Sequence, residues 1–496
     1  MTTHTEGLSV RGPTVVARIA DVIAENSLLV VLVAVLGSVL LAVAPQLLVA
    51  DSWMTLVAGR EIAQYGLPSH EALTVMPLGH RWTDQQWLAQ IVFYTVDKVG
   101  GIRLAVLLNI ALVTVTLALG VAFARKREAS ARSTLIIAIF TMLVAPWSWQ
   151  LRAQALALPL FVVVLALAAS DVRTPSRRVF LALPLVALWA NLHGSVLVGA
   201  GIVSLAGIVG FARRATRGTG APGYGRSLVL AAAPWACLFA SPYAWHLPAY
   251  YRLMLFTSPV SKVIVEWQAP KPHGWYLIFF GVAAVTAVIA VWQRRRLGWY
   301  EIAILAVTLA GSLRSGRGIV WFALAVLVLL PTALDGALGD RSPPLRRRVG
   351  LALGTTSLAV LALSLVAVAS RANSWFEKEW TPAVPRVVAR AAAEIPGRKA
   401  VFPSDMRGDW LLWKIPELRG RVAYDVRFEL VTADQLASLV RYKNTRPGWQ
   451  TVATGYPILV FDTNEGKARI RKARREPGTT VLYQDASVVV LRRSTG

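Results

Sequence analysis

The chain has one cysteine, Cys237, and six histidines among its 496 residues. A single cysteine excludes an intramolecular disulfide and any cysteine-based metal centre. Its place inside an apolar run reads as a small buried hydrophobe. Charge is scarce as well: 16% of residues are charged, and acids are outnumbered 27 to 52, for a formal charge of +25. The apolar runs carry almost no ionisable groups. That argues against an ion-coupled carrier, which places carboxylates or cations near the bilayer midplane. No Walker loop, glycine-rich nucleotide loop, GxSxG or HExxH occurs. No small-residue cleavage pattern follows the first apolar run, so that run reads as a span and not a signal peptide.

What the chain has in excess is apolar residues: 55% are hydrophobic, and the mean hydropathy is +0.52. They come in blocks near 28–50, 102–124, 133–150, 153–170, 179–190, 195–212, 227–245, 275–293, 299–313, 318–334 and 349–370. The expected class is a polytopic α-helical membrane protein with about eleven transmembrane helices. Basic clusters recur in every second connection: Arg125-Lys126-Arg127, Arg173 with Arg177-Arg178, Arg213-Arg214 with Arg217, Arg294-Arg295-Arg296 and Arg346-Arg347-Arg348. The positive-inside bias makes those loops cytoplasmic and explains that basic excess without a nucleic-acid partner.

The expected layout is a cytoplasmic tail (1–27), a transmembrane domain (28–370) with a first external loop at 51–101, and an external domain (371–496). In the last part Val401-Phe402, Arg421–Asp425, Pro457–Phe461 and a hairpin over 480–491 read as strands. Thr432–Tyr442 and Glu465–Arg475 read as helices, which together suggest a small α/β domain. The basic residues of the second helix, from Lys467 to Arg475, suit a solvated face or a surface for anionic headgroups.

The first external loop starts abruptly, where an apolar run ends at Asp51. Trp53, Leu56, Val57 and Ile62 mark a helix closed by Gly66 and Pro68. Trp87, Leu88, Ile91, Val92 and Tyr94 mark a second, closed by Gly100-Gly101. Their Trp and Tyr content suits helices lying in the interfacial layer and framing a groove beside Asp51. Farther on, the run 179–190 gives roughly 18 Å of helix against a ~30 Å hydrocarbon core. The Asn191-Leu192-His193-Gly194 turn after it either lines a recessed chamber or closes a plain hairpin at the interface.

Asp51 is a candidate general base at the mouth of an apolar span; it also suits an N-terminal cap for the helix that follows. Arg152, Arg314 and Arg317 sit at the same ends of their spans. Guanidinium forks grip phosphate oxygens in bidentate fashion, and headgroup snorkelling is the alternative role. Asn191 and His193 suit a phosphate or sugar hydroxyls, and Trp53 and Trp82 are candidate substrate-binding aromatics. Glu71 with His70 or His80 could hold a divalent cation, although no ligand spacing is strong. The absence of a nucleotide-sugar fold points to a lipid-linked donor.

Segments along most of the chain resemble bacterial membrane glycosyltransferases of the GT-C superfamily. That group includes the oligosaccharyltransferase catalytic subunit, protein mannosyltransferases and lipid A aminoarabinose transferase. The resemblance is carried by DSWMTLVAGREIAQYGLP (51–68), GHRWTDQQWLAQ (79–90), LRAQALALPL (151–160) and LWANLHGSVLVG (188–199). It continues in SPYAWHL (241–247), VEWQAP (265–270), RSGRGIVWFAL (314–324), RGDWLLWKIP (407–416) and RVAYDVRFEL (421–430). It implies an inverting transfer from a polyprenyl-phosphate sugar to an envelope glycan, glycolipid or protein on the external face of a bacterial cell membrane. The family's first-loop base corresponds to Asp51 and its second loop acid to Glu71. Where relatives often carry an acid before the second loop tryptophan, this chain has Gln86, with Asp84 nearby. That departure leaves the metal question open; metal-independent catalysis with no cofactor is the expectation, and a divalent cation the alternative.

Overall fold

The structure is a computed structural model that describes residues 15–217, 222–257, 260, 264–339 and 345–494. The apolar runs become helix, since a helix pairs its own backbone groups where side chains offer no partner. In order they are α1 (Val15–Glu25), α2 (Ser27–Ala42), α3 (Ala50–Tyr65), α4 (Trp87–Lys126) and α5 (Ala131–Val144). There follow α6 (Ala157–Arg173), α7 (Ala182–Trp189), α8 (Val196–Arg217), α9 (Tyr224–Cys237) and α10 (Leu247–Arg252). The last of the bundle are α11 (Tyr276–Trp292), α12 (Trp299–Arg314), α13 (Ile319–Leu329), α14 (Pro331–Leu338) and α15 (Arg347–Ala369).

Among the described residues, four helices are long and apolar enough to cross a membrane singly. The pairs α1–α2 and α13–α14, bent by 84° and 59°, bring that number to six. The other runs of the eleven expected are shorter helices: α7 has eight residues, and α9 carries Pro234 inside it. Helix α13 is buried along all eleven of its residues, as expected for a helix apolar on every side at the bundle centre.

The arginine-bearing connections meet at one end of this bundle. Arg127 and Arg173 both reach Glu301, at 3.2 and 2.9 Å. Arg226 pairs with Asp171 at 2.6 Å, and the Ser130 N–H donates to Asp335 at 2.7 Å. Asp51, Arg152, Glu266 and Arg317 gather at the other end.

The first loop differs from a pair of interfacial helices. Eleven of the sixteen residues of α3 are buried. The second helix is continuous with the next apolar run in a 40-residue element, α4, kinked at Gly101 (φ 71°). A Cβ at Gly101 would lie 2.1 Å from the Asn373 side chain, and one at Gly59 would lie 2.4 Å from the Gln90 carbonyl oxygen. So α3 and α4 touch backbone to backbone, and no surface groove separates them there.

Besides α4, what buries α3 is the C-terminal part of the chain. It comprises α16 (Asn373–Phe376), α17 (Ala383–Ala393), β1 (Val401–Phe402), α18 (Gly408–Lys414), α19 (Ala433–Lys443), β2 (Ile458–Asp462), α20 (Thr463–Ala473), β3 (Thr479–Gln484) and β4 (Val488–Arg493). The sheet order is β1-β2-β4-β3, with β1 parallel to β2 and the other pairs antiparallel. Arg421–Asp425, expected as a strand, gives only single bridges from Val422 to Thr74 and to Val401. Helix α18 packs across α3, and Arg60 donates to the Leu412 and Trp413 carbonyls at 2.6 and 2.9 Å. Arg419 pairs with Glu61 from the same side. One hydrophobic core therefore runs unbroken from the bundle through Trp53 and Phe93 to Trp410 and Val488.

Candidate active site

Asp51 lies in the first turn of α3, but it is not the cap. The cap position is Val49, and Ser52 in the first turn reaches back to it: its Oγ accepts from the Val49 N–H at 3.0 Å and donates to the Leu151 carbonyl at 2.6 Å. With the Leu151 N–H on the Leu47 carbonyl (2.9 Å), these bonds sew residues 47–52 to 151 and set Arg152 beside Asp51. Arg152 Nε lies 3.3 Å from Asp51 Oδ2.

Arg317 comes from the turn between α12 and α13. That turn is tied to the 266–268 segment by the Gly316 N–H on the Gln268 carbonyl (3.0 Å) and Ser315 Oγ on the Glu266 carbonyl (3.1 Å). The Arg317 guanidinium reaches Asp51 Oδ2 at 3.5 Å and Glu266 Oε2 at 3.3 Å, and lies over the Trp267 ring at 5.1 Å. Glu266 completes the group with a two-pronged grip on Arg152, at 2.6 and 2.8 Å. Burial pushes the Glu266 carboxyl up, but the Arg152 hydrogen bonds and both arginine charges outweigh it and hold it below the usual carboxylate range. The Arg152 Nε–H faces Asp51 and the Arg317 Nε–H faces Glu266, each at 3.3 Å, so both guanidiniums are already paired within the cluster and an incoming anion competes with these carboxylates for them.

Three cavities meet at this cluster. A chamber of about 180 Å³ is lined by Asp51, Arg152, Arg317, Gln85, Tyr250 and Glu429, among others. A groove of about 600 Å³ shares Arg317, Trp267, Gly194 and Leu197 with it and adds Val198 and Arg314. A cleft of about 380 Å³ shares Asp51, Arg152 and Arg317, and adds Glu266 with Asp405 and Lys443 from the C-terminal part. Arg317 lines all three.

The other expected residues fall in different places. Arg314 is exposed, donates to the Leu255 carbonyl at 2.6 Å, and lines only the groove of these three cavities. Asn191 is buried; it accepts from Trp87 Nε1 at 2.8 Å and donates to the Ala187 and Ala240 carbonyls. It shapes the turn. His193 bonds Ser195 at 2.8 Å beside Trp321, and burial pushes its imidazole down to about 3, so it is neutral at ordinary pH. The turn is thus packed within protein, and Gly194 is its contribution to the chamber. Trp53 is fully buried in edge contact with Trp380. Trp82 is 4% exposed and stacks under Arg427 at 4.2 Å.

Glu71 is likewise a structural anchor here. It accepts from the Leu73 and Thr74 N–H groups at 2.7 Å and pairs with Arg427 at 2.6 Å. His70 bonds Ser69, and His80 bonds the Leu430 carbonyl. These three do not form a cation site, and among the described residues no group of three or more His, Cys, Asp or Glu is placed to hold a metal.

Sequence reasoning passed over Glu266, Arg427 and Glu429. Glu266 stood within the VEWQAP segment as an acid in a loop of low charge, which was the available signal. Arg427 and Glu429 stood within RVAYDVRFEL; Arg427 pairs locally with Asp425, but its other carboxylate, Glu71, lies more than 300 residues upstream. Burial pushes Glu429 on the chamber wall and Asp84 behind it up to about 7 each.

No protein-family model matches the chain, and no curated protein matches it. Solved structures do. The chain is similar to the oligosaccharyltransferase AglB of Archaeoglobus fulgidus in complex with an inhibitory peptide and a dolichol-phosphate. The TM-score is 0.50 at 14% identity, over 89% of this chain and 70% of that one. It is also similar to ArnT of Cupriavidus metallidurans bound to undecaprenyl phosphate, at a TM-score of 0.49 and 15% identity, over 93% of this chain and 97% of that one. At 14% identity the likeness to AglB is one of architecture: the protein shares the fold of that archaeal oligosaccharyltransferase.

Proposed function

We propose that the protein is a membrane glycosyltransferase that moves a sugar from a polyprenyl-phosphate donor to a hydroxyl-bearing envelope acceptor. In this reading the end of the bundle with Asp51 and the C-terminal α/β part face outward from a bacterial cell membrane, and the N-terminus is cytoplasmic. The carrying observation is the cluster itself. Two carboxylates, Asp51 and Glu266, and two arginines, Arg152 and Arg317, stand where a largely apolar groove, a chamber and an outer cleft meet.

The groove suits the lipid chain, with its phosphate against Arg317 where the groove meets the chamber that Arg152 also lines. The acceptor oxygen attacks the anomeric carbon while Asp51 takes the hydroxyl proton. The bond from that carbon to the phosphate oxygen breaks, and its electron pair leaves with polyprenyl phosphate, whose charge the guanidiniums neutralise. Configuration at the carbon inverts, and Asp51 passes its proton to water. Glu266 acts through the arginines, as a positioning residue.

The test is sugar transfer from a labelled polyprenyl-phosphate sugar by purified protein in vesicles. Asp51→Asn is expected to bind the donor and to lose transfer. Wild-type transfer rates in that variant would falsify the assignment of the base.

A further inference from the structure

We propose that the cleft between Asp51 and the C-terminal part takes an uncharged, hydroxyl-rich acceptor and selects against anionic ones. The inference rests on the transferase reading above and specifies the acceptor class for it. The charged lining of the cleft is Arg152, Arg317 and Lys443 against Asp51, Glu266 and Asp405, three cations to three carboxylates. In a chain of formal charge +25 that balance is local. The six are paired with one another: Arg152 with Glu266 at 2.6 Å, Arg317 with Asp51 at 3.5 Å, Lys443 with Asp405 at 2.9 Å.

Paired charges set acceptor oxygens beside N–H donors with little net potential. Hydroxyls, each a donor and an acceptor, match such a surface. Val265, Met406 and Phe428 are among the apolar residues of the lining and suit the C–H faces of a sugar ring. A phosphate or carboxylate entering here would face three carboxylates, or would have to break an ion pair already made. The adjoining groove is the contrast. Its charged lining is Arg314 and Arg317 with no carboxylate, two cations to none. An anion belongs in the groove, and a neutral polyol in the cleft.

Asp405 is where this selectivity is open to change. It stands before α18, pairs with Lys443, and accepts from the Tyr424 hydroxyl at 2.9 Å through its other oxygen. Asp405→Asn keeps the Tyr424 bond and removes one of the three carboxylates.

The test uses full-length protein in detergent and two probes of one skeleton: a methyl trisaccharide of neutral hexoses, and the same trisaccharide carrying one phosphate. Binding is read by calorimetry without donor. The neutral probe is expected to bind at least about tenfold more tightly, and Asp405→Asn to narrow that ratio severalfold. Equal or tighter binding of the phosphorylated probe overturns the proposal. So does an unchanged ratio in the variant, or no measurable binding of the neutral probe. Donor cleavage is assayed separately. Its absence in the wild-type protein counts against the transferase reading, while the binding ratio still decides the class of molecule the cleft accepts.

Discussion

Glu301 and Asp51, at opposite ends of the helical bundle, are each held by two arginines. Glu301 is gripped by Arg127 and Arg173, and its side chain is 2% exposed. Asp51 is gripped by Arg152 and Arg317, and its side chain is 29% exposed. The chemistry of the two groups is the same; their surroundings are not. Glu301 lines none of the three cavities that meet at Asp51, and its arginines come from connections that it staples together. Asp51 lines two of them. A carboxylate becomes a candidate base when there is room beside it for a second molecule.

The comparison is broken most directly by exchanging the two phenotypes. Asp51→Asn should lower the transfer rate about a thousandfold, within the range of a lost general base, with thermal stability nearly unchanged. A variant that unfolds instead would make Asp51 a staple like Glu301. Glu301→Ala should do the reverse, costing about 3 kcal/mol of stability because two guanidiniums lose their buried partner. Its turnover per folded molecule should match wild type; a large loss there would mean that the two ends are coupled.

The arginines sharpen the contrast at the Asp51 end. Arg317→Ala should cut transfer about a hundredfold through lost charge stabilisation at the leaving phosphate. Arg314→Ala, exposed and on the groove alone, should cost less than about threefold, chiefly in KM for the donor. Kinetics in which Arg314 matters more than Arg317 would move the phosphate site along the groove.

The smallest effect concerns Asp84. Burial raises its folded pKa to about 7, above its unfolded value. The stability that goes with the neutral acid is therefore present at low pH and lost as pH rises toward and through 7. Asp84→Asn, which leaves an acceptor for Gln90, should raise the melting temperature more at pH 8 than at pH 5. An equal gain at both would mean that Asp84 is already ionised in its pocket.

Much of this was legible beforehand. Apolar blocks dictate helices, arginine spacing sorts the connections onto two ends, and alternation after residue 371 marks the four strands and two of the five helices found there. Asp51, Arg152 and Arg317 were legible as charges at the ends of apolar runs, a position that is costly without a purpose. Glu71 and Trp53 were misread for one reason. Their environment is made by Arg427, Trp380 and Trp410, more than 300 residues downstream, and local pattern carries no information about that cover.

By itself the sequence determined the helical class, the grouping of the loops, and the set of charged residues from which a site had to be drawn. The tertiary structure alone decided which of them touch. It gave Asp51 two arginines and a free margin, gave Glu71 a salt bridge and no room, and recruited Glu266. The physical reason is range. Hydrophobic periodicity and capping act over a few residues, whereas an ion pair such as Arg317 with Asp51 joins positions 266 apart, and only packing brings them within reach.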